Sequence, residues 1–116
     1  LVEQELAGVF IVQEGEFVYV NEKLAELFGY GQRELVGESP LVVSAPADED
    51  VVRRELVEHD AGESDTFQYS FTGQQADGST LDVAVHGGEI VYDGAPACIG
   101  ILRHADEGLY PESQAD

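Results

Sequence analysis

Three turn signals, Glu14-Gly15, Asp77-Gly78 and Asp93-Gly94, each fall between apolar stretches of strand character, and they constrain the chain to antiparallel hairpins. Glycine in the second position supplies the positive φ that a tight two-residue loop demands. Gly8 to Gln13 and Phe17 to Val20 flank the first turn. With Glu14-Gly15 as the loop, Val12 is expected opposite Phe17, Phe10 opposite Tyr19 and Ile11 opposite Val18. Thr66 to Thr72 alternates Phe67, Tyr69 and Phe71 with Gln68 and Ser70, the period of a strand buried on one face. Asp77-Gly78 then leads into Leu81, Val83 and Val85, and Asp93-Gly94 joins Ile90 to Tyr92 with Ala97 to Arg103.

Between these strands the apolar period changes. Leu24, Leu27 and Phe28 recur at helical spacing, so Asn21 is expected to cap a helix that Gly29 closes. Gly31 to Leu35 reads as one further turn before Gly37. Pro40 and Pro46 bracket an apolar loop, and Asp48 is expected to cap a helix from Glu49 to about His59 that ends at Gly62. Val52, Leu56 and His59 mark its inner face. Two strands, a helical excursion and three meandering strands predict an α+β domain, a five-stranded antiparallel sheet with helices packed on one face. Residues 1–7 are expected to form a flanking helix, 8–104 the domain, and 105–116, polar and carrying Pro111, a linker or tail.

Charge excludes whole classes of partner. Twenty-four acidic residues oppose five basic ones, a formal charge of −19. Nucleic acids and anionic membrane surfaces need a Lys/Arg patch, and here Arg53 and Arg54 sit among Asp48, Glu49, Asp50, Glu55 and Glu58. The acids are spread from Glu3 to Asp116, a pattern that suits solvation in a salt-rich cytoplasm, where screening weakens self-repulsion. No apolar run reaches the roughly 20 residues of a membrane span. The single cysteine, Cys98, has no intramolecular disulfide partner, and with no signal peptide in view a cytoplasmic location is expected. The chain opens at Leu1 and contains no Met, which points to a piece of a longer polypeptide.

Gly8-Val-Phe-Ile-Val12, Tyr19-Val-Asn-Glu22 leading to Leu27-Phe-Gly-Tyr30, Glu34-Leu-Val-Gly37, Asp77-Gly-Ser-Thr80, Tyr92-Asp-Gly-Ala-Pro-Ala97 and Ile99-Gly100 follow one another in an order that resembles the PAS sensory domain family over about Glu5 to Asp106. The resemblance implies a five-stranded sheet cupping a small apolar cavity. It also implies a sensor or dimerisation module, joined to an effector in the same polypeptide as in sensor histidine kinases, here with the acidic surface of a salt-adapted organism. Where the family pattern ends in Asp-Ile-Thr this chain reads His104-Ala-Asp106.

The resemblance also argues against two cofactors. Photoadduct-forming flavin sensors carry Asn-Cys-Arg-Phe-Leu-Gln where this chain has Glu38-Ser-Pro-Leu-Val-Val43, without a thiol. Haem-binding members ligate iron through a His about eleven residues before the closing Gly, which here is Val51, and His59 lies two turns too late. The chain also lacks the Trp that several flavin-redox members use. His59, His86 and His104 show no metal-ligand spacing, so no metal site is expected.

Strand parity then sorts the side chains. Phe10, Val12, Phe17, Tyr19, Phe67, Tyr69, Phe71, Leu81, Val83, Val85, Cys98 and Leu102 are expected to face the helices, with Leu27 above them. The small residues Cys98 and Gly100 opposite bulky aromatics would leave a void for an apolar ring or a short acyl chain, with Tyr19 and Tyr69 as polar contacts. The alternative is a filled core and a module that only dimerises. Val9, Ile11, Val18, Val20, Ile99 and Ile101 are expected on the opposite face, covered by a partner subunit or by the flanking helix with Leu6. An enzyme with Cys98 as nucleophile and His86 as base is disfavoured, because the same parity puts the two on opposite faces.

Overall fold

The computed structural model describes residues 7–57 and 66–105. Five strands, β1 (Gly8–Gln13), β2 (Glu16–Val20), β3 (Thr66–Gln74), β4 (Thr80–Tyr92) and β5 (Ala95–His104), form one antiparallel sheet in the order β2-β1-β5-β4-β3. The helical excursion lies on one face. It comprises α1 (Glu22–Phe28), α2 (Gln32–Leu35), 3₁₀ turns at Pro40–Val43 and Pro46–Asp48, α3 (Glu49–Val52) and a π-helical turn at Arg53–Val57. The α+β reading of the sequence is thus the observed architecture. His59, Gly62 and Leu6 lie outside the described residues, and with them most of the expected flanking helix and the end of the second helix.

The β4–β5 register follows the Asp93-Gly94 turn without interruption, from Tyr92 opposite Ala95 to Val83 opposite His104. Val85 therefore faces Leu102 and His86 faces Ile101, as turn counting expects, and the adjacent glycines Gly87 and Gly88 carry no bulge. The β1–β2 hairpin departs from expectation. Val12 does face Phe17, but Phe10 pairs with Val20 and Ile11 with Tyr19, because the register shifts between Ile11 and Val12. One extra residue, Val18, is accommodated on β2, and every side chain beyond it changes face.

Asn21 explains why. Its carboxamide oxygen accepts from the amides of Leu24 (3.0 Å) and Val9 (2.9 Å), so it caps α1 and clamps the helix start to β1 at once. The Asn21 amide also donates to the Val9 carbonyl at 3.0 Å. Buried and doubly engaged, Asn21 is worth more than an exposed cap. Asn21→Ala is expected to cost about 2 kcal/mol, at the top of the cap range, as read by urea denaturation; a loss below about 0.5 kcal/mol would show that water replaces both bonds.

The expected cap at Asp48 is not observed. Its carboxylate instead accepts from the Thr72 amide at 2.7 Å, while the Thr72 carbonyl accepts from Ala45, so the start of α3 is tied to the outer edge of β3. Val52 and Leu56 turn inward as their spacing predicts.

Candidate ligand-binding site

Five cross-strand neighbours run across the inner face of the sheet: Phe67, Gly87, Gly100, Phe10 and Val20. Two glycines thus sit between two phenylalanines. A β-carbon on Gly100 would lie 2.5 Å from Phe10 Cζ, and one on Gly87 would lie 2.7 Å from Phe67 Cζ. The rings lie down over the glycines. The void expected beside Gly100 is therefore occupied by Phe10, which is fully buried and meets Phe17 edge to face at 6.2 Å.

Of the residues expected to line a pocket, Phe10, Val12, Phe67, Phe71, Val83, Val85, Cys98 and Leu102 are buried in this core. Leu27 and Tyr69 pack against it partly exposed. Tyr19 does not belong there. The β2 bulge turns it to the outer face, 41% exposed, and sends Val20, expected outside, into the core at 1%. The other outer-face residues, Val9, Ile11, Val18 and Ile99, are half-buried, and Ile101 is exposed. His86 is also exposed on that face while Cys98 is buried beneath the sheet, so these two do not form a dyad.

An open cavity of about 180 Å³ remains at the hairpin end of the inner face. Val12, Ala97, Cys98, Leu56 and Val57 supply its apolar walls, and Glu14 and Glu89 supply carboxylates. It exists because the chain widens to a π turn at Arg53–Val57, where Leu56 and Val57 reach over the β1 and β5 ends. Sequence reasoning places Val12 and Cys98 at a pocket but misses Leu56 and Val57, since a π turn leaves no mark in side-chain spacing, and Ala97, which strand alternation assigns to the face opposite Cys98.

Tyr69 is the odd group of this core. Its ring stacks on Phe71 at 6.0 Å and meets Phe67 at a tilt at 6.1 Å, and its hydroxyl is buried with no hydrogen-bond partner among the described residues. Leaving a hydroxyl so costs about 1–3 kcal/mol. Burial, then the charge of Glu55, then that of Cys98 push its ionisation far above the ordinary phenol range, so it is a neutral donor. Burial, followed by the Glu89 charge, likewise pushes the Cys98 thiol up, which makes it a poor nucleophile. Among the described residues no group of three His, Cys, Asp or Glu is placed to hold a metal ion, and no helix is long and apolar enough to cross a membrane.

The sequence profile of the PAS fold matches residues 1–104. The chain belongs to the PAS family. Solved structures agree in fold. The PAS domain of an HTR-like protein from Haloarcula marismortui is 22% identical with a TM-score of 0.70, the match covering 84% of this chain and 80% of that one. A domain of a sensory box sensor histidine kinase/response regulator from Geobacter sulfurreducens is 24% identical, TM-score 0.70, covering 87% and 85%. The PAS domain of a LuxR-family transcriptional regulator from Burkholderia thailandensis, in complex with ethanol, is 17% identical, TM-score 0.69, covering 86% and 89%. No curated protein matches. This PAS domain is therefore a member of a sensory and signalling family, with sensor kinases among its structural relatives.

Proposed function

We propose that this PAS domain is a cytoplasmic sensory input module that binds a small, mostly apolar molecule and relays occupancy to an effector domain of the same polypeptide, of histidine-kinase type. The observation that carries this reading is the cavity between the π turn and the ends of β1 and β5. Its volume of about 180 Å³ is comparable to the roughly 150 Å³ at which an engineered apolar cavity takes up benzene. Its walls come from the sheet and from the helical layer together, so filling it bears on how the two pack. The ethanol complex of a PAS relative supports a small occupant.

A second reading has its own support. Val9, Ile11, Val18 and Ile99, with exposed Tyr19 and Ile101, leave the outer sheet face apolar, the surface of a module that works by dimerising or by holding its flanking helix. Native mass spectrometry of the domain purified in high salt separates the two. Under the first reading a stoichiometric small molecule dissociates on denaturation, or added toluene raises the melting temperature. A bare dimer that toluene does not stabilise overturns the first reading and leaves the second.

A further inference from the structure

One row further toward the hairpin end, the inner face of the sheet runs Glu89, Cys98, Val12 and Phe17. Three of these are buried; the fourth is a half-buried carboxylate that alternation along β4 sets on the same face. The cavity under the π turn lies against this row. Glu89, Cys98 and Val12 line it, and Glu14 joins them from the β1–β2 turn. Gln13 lines it too. Its carboxamide nitrogen donates to the carbonyls of Tyr92 (2.8 Å), Ala95 (3.2 Å) and Pro96 (3.3 Å), so the group it has left to offer is its oxygen. We propose that the ligand of this cavity is a small organic cation, a primary ammonium on a short apolar chain, with the ammonium facing the Glu14 and Glu89 carboxylates. This rests on the reading of the cavity as a ligand site.

Each part of the ligand class follows from the lining. The apolar chain is matched by Val12, Leu56, Val57 and Ala97. The polar side chains are acceptors, two carboxylates and the oxygen of an amide whose nitrogen is engaged, and the Cys98 thiol is only a weak donor. An occupant therefore has to bring the donors. Positive charge follows from Glu89: a carboxylate facing inward beside buried Cys98 and Val12 gives up part of its hydration, and a cation restores what is lost. An anion would meet like charge instead, with no Lys, Arg or His among the described lining. A primary ammonium suits these walls better than a quaternary one. Its N–H groups fit carboxylate and amide oxygens, whereas the described lining holds no aromatic side chain from which to build a cage for a methylated cation. A chain of about four carbons with its nitrogen is slightly smaller than benzene, and so fits a cavity of about 180 Å³.

n-Butylammonium and 1-butanol test this as a pair, since they share a chain and differ in charge. Binding is read by amide chemical-shift titration of the domain at constant ionic strength. The domain is expected to bind butylammonium about tenfold more tightly than butanol, the discrimination that a charge-assisted hydrogen bond supplies. Glu14→Gln and Glu89→Gln keep the side-chain shape and remove the charge. Each is expected to weaken butylammonium binding about fivefold or more and to leave butanol binding unchanged. Glu26→Gln is the control: it removes the same charge from an exposed position on α1 outside the lining, and is expected to change neither. Equal affinities for the two probes, or butylammonium binding unmoved in either lining variant, overturn the cation and leave the cavity reading standing. So does a loss in Glu26→Gln as large as in the lining variants, which would mean that a chain of formal charge −19 merely draws cations to its whole surface. Failure of both probes to shift the amides of Leu56, Ala97 or Cys98 overturns the cavity reading itself, and the cation with it.

Discussion

Phe10→Ala is expected to lower stability by about 3–5 kcal/mol, a large fraction of the roughly 5–15 kcal/mol that a domain has in total. The ring is wholly buried, packs edge to face on Phe17 and forms the cover over Gly100, which has no side chain with which to fill the gap. No neighbour replaces it by collapse. Gly100 is held between Gly87 and Phe10 in a continuous ladder, and backbone in mid-sheet moves little. The loss is read from the urea midpoint at constant slope, so that a change in the denatured state is not mistaken for a change in packing. The variant should also acquire the void that this PAS domain lacks beside Gly100. Toluene is then expected to raise its melting temperature by more than it raises the parent's. A loss below about 1 kcal/mol would show that the sheet closes over the site and that Phe10 is not its cover.

The void that alternation suggests beside Gly100 is filled by Phe10, for a reason alternation cannot see. Parity correctly places Phe10 and Gly100 on the inner face and, through the Asp93-Gly94 turn, aligns ten consecutive pairs of β4 and β5. What parity lacks is rotamer. Whether a glycine opposite an aromatic is a hole or a seat depends on whether the ring stands up or lies down, and only packing decides this. Cavity walls were hidden for a related reason. Val12 and Cys98 lie on strands and are legible by alternation, whereas Leu56 and Val57 reach the cavity through a π turn, whose wider winding the 3.6-residue count does not anticipate.

The misplacement of Tyr19 and Val20 has a different cause, a conflict between two local constraints. The Glu14-Gly15 turn sets Phe17 opposite Val12, and the Asn21 clamp on Val9 sets Val20 opposite Phe10. Between those fixed pairs β1 advances two residues and β2 advances three. One residue has to be set aside, and Val18 is the one that yields. The turn and the cap are each legible in the sequence, but the clamp of Asn21 on Val9 that fixes the second pair is not, so the bulge shows only in the structure. That step matters for function, because it moves a tyrosine out of the proposed ligand pocket to the outer sheet face and leaves Tyr69 as the inner one.

Gly87→Ala is expected to be at least as damaging as Phe10→Ala in proportion to its size, a single methyl costing at or above the top of the roughly 1–3 kcal/mol usual for overpacking. Its β-carbon would collide with the Ile99 carbonyl oxygen as well as with the Phe67 ring. A ring tip swings; a carbonyl between two paired strands does not. Gly100 differs in kind. There the close neighbours are Phe10 Cζ and Cε2, at 2.5 and 2.9 Å, with the nearest backbone atom, the His86 oxygen, at 3.2 Å. Double-mutant cycles turn this difference into a measurement. Phe10→Leu is expected to relieve Gly100→Ala, giving a favourable coupling of about 1 kcal/mol, while Phe67→Leu is expected to relieve Gly87→Ala hardly at all. Equal relief at both sites would mean that the rings alone set the cost and that the sheet backbone gives way. Relief at Gly100 only would show that the Ile99 carbonyl, and not the Phe67 ring, sets the cost at Gly87, the reason the sheet tolerates no side chain there whatever occupies the cavity.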